Sequence, residues 1–100
     1  MNKVFTIQSE IWLHQGTAGW YFVTIPKKES GEIKELYKNK SKPWGSIPVI
    51  ITLGKTMWAS SIFPDRRSGC YLLPIKSEVR KNEKVTAKDV ITLKIEIRQN

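Results

Sequence analysis

With 100 residues, 40% of them hydrophobic and 26% charged, the chain has the makeup of one folded domain (1–100), and wholesale disorder is excluded. Its single cysteine, Cys70, excludes an intrachain disulfide, and no stretch reaches the roughly 20 apolar residues of a membrane span. A net charge of +8 sets up a field that attracts polyanions, or that serves only to keep the protein soluble.

Polar Gln8, Ser9 and Glu10 come too early for the apolar core of a signal peptide, so the expected location is the cytoplasm. Phe5, Ile7, Ile11 and Leu13 recur on one parity, with Ser9 interrupting, which predicts a half-buried strand irregular near Ser9. A turn with two glycines, 15–19, leads to Trp20-Tyr21-Phe22-Val23-Thr24-Ile25, a returning strand dense in aromatic and β-branched residues that Pro26 ends. Ser30 is placed to cap a helix over 31–39, with Glu32 in its first turn and Ile33, Leu36 and Tyr37 along one apolar stripe. Gly31 weakens its start, and Lys38, Lys40 and Lys42 load its end.

Ile47, Val49, Ile51 and Leu53 alternate over 45–53. Pro48 has no N–H for a ladder, so this strand is expected at an edge or with a bulge. Gly54-Lys55 fits a type II′ hairpin turn. The next strand runs over 56–63 until Pro64 stops it; 65–69 is a basic loop, and 70–75 is strand until Pro74 disrupts it. Ser77 can cap a helical turn over 78–82, and 86–89 is a further turn. Ile91, Leu93, Ile95 and Ile97 then face one way while Thr92, Lys94, Glu96 and Arg98 face the other, the clearest strand in the chain. Six strands with tight turns, and too few helices to cover a parallel sheet, predict an all-β fold: a small antiparallel barrel or sandwich with two short helical elements. A barrel also leaves no open strand edge.

Several segments in this order resemble one family. They are Gly19-Trp20-Tyr21-Phe22-Val23-Thr24-Ile25-Pro26, Trp44-Gly45-Ser46-Ile47-Pro48-Val49, Ser61-Ile62-Phe63-Pro64, Gly69-Cys70-Tyr71-Leu72-Leu73-Pro74-Ile75, Val79-Arg80-Lys81 and Lys88-Asp89-Val90-Ile91-Thr92-Leu93. Together with Phe5 and the opening strand, they look like the bacterial domain-of-unknown-function family 1905, across nearly the whole chain. The resemblance implies a six-stranded, double-split β-barrel, similar in fold to the AbrB and MazE class of DNA-binding regulators and antitoxins. Those generally build the barrel from two chains, whereas here one chain is expected to supply all of it. The family brings no activity or catalytic residues to carry over. Lys88 departs from the pattern, which has glycine before the aspartate; the turn before Asp89 is therefore expected to be built differently.

No phosphate-binding loop, dinucleotide fingerprint, zinc motif or nucleophile elbow is present. His14 has no partner ligand at metal spacing and reads as a solvated strand-end histidine. Cys70 follows two arginines that would favour its thiolate, but a lone strand cysteine reads first as a packing residue. An enzyme reading requires that two of Asp65, Asp89, Glu10, Glu96, His14 and Ser61 converge in one cleft.

The candidate binding residues are Arg66 and Arg67 on the basic loop, Lys76, Arg80 and Lys81 around the second helical turn, and Trp12 and Trp44. Trp20 and Trp58 lie mid-strand and read as core. Arg80 is as readily structural, pairing with Glu78, Glu83 or Asp89. The expected protein is a binding module, monomer or weak dimer, without cofactor, metal or membrane, for a nucleic acid or an acidic protein. Two alternatives stand beside it: a small-molecule barrel with Trp12, Trp20 or Trp58 at its mouth, and an enzyme of unrecognised chemistry.

Overall fold

Ile91, Leu93, Ile95 and Ile97 all turn inward and are buried, as the alternation of the last strand requires. The computed structural model describes residues 3–16, 19–37 and 45–98. Within them lie β1 (Lys3–Leu13), β2 (Tyr21–Thr24), α1 (Lys27–Tyr37), β3 (Ile47–Leu53), β4 (Thr56–Asp65), β5 (Cys70–Pro74), α2 (Ser77–Glu83) and β6 (Val90–Ile97). The strands close into one antiparallel barrel in the order β1-β2-β5-β4-β3-β6. A single chain therefore supplies the whole barrel.

Two long strands make closure possible. β1 pairs with β6 from Lys3 to Glu10, then with β2 from Ile11 to Leu13. β4 pairs with β3 through Ile62 and with β5 from Phe63 to Asp65. Ser9 marks the exchange in β1: its hydroxyl donates to the Thr24 carbonyl at 2.8 Å, so a polar residue on the inward parity is satisfied where the strand changes partner. The core forms as cross-strand rows. Phe5, Ile95, Ile51 and Trp58 face one another through consecutive pairings, as do Ile11, Val23 and Leu73 on the other side.

Several sequence expectations change. β3 is not an edge strand; it is paired on both sides, and Pro48 sits where its ladder with β6 ends, accepting the Arg98 N–H at 3.1 Å. Pro64 does not stop β4, because by that point the strand has left β3 and pairs with β5 alone. α1 starts at Lys27, with the Pro26 carbonyl taking the Ser30 N–H at 2.8 Å. Ser30 is therefore not a cap. It is buried inside the helix, donating to the Ile25 carbonyl at 2.8 Å and accepting the Tyr71 N–H at 2.9 Å, which ties α1 to β5. In α2 the capping position is Lys76, without a side-chain cap bond, and Ser77 is already helical. Lys88 has φ 79°, so the lysine itself takes the left-handed conformation that a glycine would. Gly54, with φ 57°, opens the β3–β4 hairpin as expected for a type II′ turn.

Candidate functional site

The β1–β2 hairpin carries its rings outward. Val23 and Ile25 point into the core, so Trp20, Phe22 and Thr24 share the outer parity of β2. On β1 and just past its end the outer parity holds Trp12 and His14. Trp12 pairs directly with Phe22, and the His14 N–H donates to the Trp20 carbonyl at 2.9 Å. The register thus places all four rings together on the outside of the barrel. Phe22 is their centre: its centroid lies 5.1 Å from Trp12, 5.8 Å from Trp20 with the planes only 22° apart, and 6.1 Å from His14, edge-on. Trp12 is pinned through its indole N–H to the Thr24 hydroxyl at 3.0 Å. Trp20 is 50% exposed.

These rings, with Leu72, Asp65 and Arg67, line a half-open groove of about 450 Å³. Trp20 also walls a second hollow of about 250 Å³, bordered by Tyr21, Pro74, Lys76, Ser77 and Arg80. By extension of the β2–β5 register, Lys76 stands opposite Trp20. The basic loop and α2 leave β5 at opposite ends, yet Arg67 and Lys76 border hollows that share the Trp20 wall. Arg66 points elsewhere, into a separate hollow of about 280 Å³ with Lys34, Gly69, Cys70 and Tyr71.

The Arg80 guanidinium lies 3.6 Å from the Tyr21 ring centroid, and its Nε donates to the Ile75 carbonyl at 3.2 Å, so among the described residues its partners are a ring and a backbone oxygen rather than a carboxylate. Lys81 is exposed on α2 and lines neither hollow beside Trp20. Trp44 lies outside the described residues, as do Lys38, Lys40 and Lys42. Trp58 is buried in the core, as its mid-strand position suggests. Trp20 is not; it precedes β2 on the outward parity. Phe22 and Leu72 complete the groove without standing out in the sequence, and His14, singled out only for the enzyme reading, joins them. The signal for the rings is the parity of Val23 and Ile25, which assigns every aromatic on the alternate positions of that hairpin to one outer face; Leu72 joins them only through the β2–β5 register.

Of the groups an enzyme would need together, His14 and Asp65 border the same groove, so one pair meets the convergence that reading requires. The Asp65 carboxylate is engaged by its own turn, accepting from the Ser68 hydroxyl at 2.8 Å and the Ser68 N–H at 3.3 Å. Cys70 is buried, with its thiol 3.7 Å from the Ser68 carbonyl. Burial pushes the Tyr71 hydroxyl above its ordinary value of 10.0. Among the described residues, no helix is long and apolar enough to cross a membrane.

A search of curated proteins finds no match. The family model described as Domain of unknown function (DUF1905) matches residues 8–95.

Proposed function

Because the chain belongs to the DUF1905 family, whose description names no activity, we propose its function from the outer groove itself: a non-enzymatic binding module for a polyanion. One observation carries this reading. A cluster of aromatic rings, with Trp20 half exposed, is walled by Arg67 on a chain of net charge +8. Stacked rings offer contact area without ordering long side chains, and a guanidinium at their border supplies the anion contact. The remaining positive charge draws an anionic partner in from a distance. The rings gather on the outer wall rather than at a barrel mouth, so a small planar ligand would also have to enter here. That second reading rests on the same ring geometry without the charge.

The test is binding of a labelled polyanion across a salt series. Affinity falls steeply as salt rises, and Arg67→Ala weakens binding while lowering the salt slope. Arg66→Ala, a change in a different hollow, has the smaller effect. Binding no better than that of an unrelated protein of equal charge overturns the proposal.

A further inference from the structure

Trp20 is a ridge between two hollows, each bordered by a cation: the first also holds Asp65, whose carboxylate is taken up by Ser68. Arg67 borders the one on its Phe22 side, and Lys76 the one on its Tyr21 side. Its own ring lies nearly parallel to Phe22, with half of its surface open. A ligand matched to this arrangement needs a planar group to cover the indole and an anion on each side of it.

We propose that the ridge takes one unpaired strand of nucleic acid, with a base stacked on Trp20 and the neighbouring phosphates directed to Arg67 and to Lys76. This deepens the polyanion reading and rests on it. A single strand presents the required repeat, because each base has a phosphate before and after it and a free face to stack. A duplex hides those faces between neighbouring pairs. An acidic peptide answers the charges but leaves the open indole face without a planar partner. Arg80 does not compete for the strand, since its guanidinium is held over Tyr21 and bonded to the Ile75 carbonyl.

The test measures binding at low salt, by anisotropy and tryptophan quenching, for oligothymidylate, oligouridylate, an abasic strand of equal length, a duplex, polyphosphate and polyglutamate. Oligothymidylate and oligouridylate are expected to bind and quench alike, the two arms covering DNA and RNA as the source of the strand. The abasic strand and polyphosphate should bind about tenfold more weakly. Trp20→Ala, at a half-exposed position, should cost oligothymidylate about tenfold in affinity and leave polyphosphate unchanged, while Trp20→Phe keeps most of the binding. If the abasic strand, duplex, polyphosphate or polyglutamate binds as tightly as oligothymidylate, or if Trp20→Ala changes nothing, the single-strand assignment falls and the polyanion reading stands. If no polyanion binds specifically, both fall.

Discussion

Lys88 shows what one residue's backbone can cost. Its φ of 79° is strained for any residue with a Cβ, and the turn holds it there: its N–H donates to the Ile11 carbonyl at 2.7 Å, while the Asp89 carboxylate accepts the Thr86 N–H at 2.8 Å. Lys88→Gly should raise stability by about 0.5–1 kcal/mol in urea unfolding. Gly31 is the opposite case. It lies inside α1, and a Cβ added there would meet nothing within 4 Å, so Gly31→Ala should stabilise by about 1 kcal/mol. Ser30→Ala should destabilise by about 1–3 kcal/mol in the same assay, because the buried Tyr71 N–H and Ile25 carbonyl both lose a partner. The sequence marked Ser30 as polar and as lying near a helix start. Its burial followed from a contact 41 residues away, which no local pattern contains. Tyr71 adds a pH effect. Its raised pKa means that the folded state holds the proton more tightly, so this contribution is intact below the unfolded value near 10 and is lost as pH rises through the folded one. Tyr71→Phe should flatten the alkaline decline in stability.

At the scale of elements, α2 is fastened to the β3–β4 hairpin by one side chain. The Glu83 carboxylate accepts from the Thr56 hydroxyl at 2.6 Å and from the Lys55 N–H at 3.3 Å. It lies so close over Gly54 that a Cβ there would strike its Oε1, and the positive φ of Gly54 disfavours a side chain in any case. Gly54→Ala should therefore destabilise by more than 1 kcal/mol. Glu83→Ala should speed amide exchange in α2 and at the hairpin tip while leaving β6 protected, the pattern of a local opening. The elements themselves were largely legible. Period-two alternation in β3 and β6, and the glycine of the hairpin turn, are local signals, and they gave the right elements. The candidate site was legible only in part. Arg67 and Lys76 stand out in the sequence as cations, but the place of Lys76 opposite Trp20 depends on the β2–β5 register, and the outward position of Trp20 depends on which parity of β2 faces the core.

Across the molecule, β1 and β4 belong to both halves of the barrel, and the first strand pairs with the last. Such long-range pairing places folding on the slow side for a domain of this size. Ile95 sits fully buried between Phe5 and Ile51, so Ile95→Ala should cost about 2–5 kcal/mol, a large share of a typical domain's total. Closure of the barrel by one chain fills its interior with side chains from all six strands, and the proposed site lies on its outer wall. The most direct measurement is an NMR titration of the isotope-labelled protein with oligothymidylate, following backbone amides and indole N–H signals. Shifts are expected to concentrate on Trp12, Trp20, Phe22, Arg67 and Lys76, with Trp58 and β6 unmoved. Shifts centred on Arg66 and Lys34, or scattered evenly over the exposed lysines, would overturn the single-strand assignment.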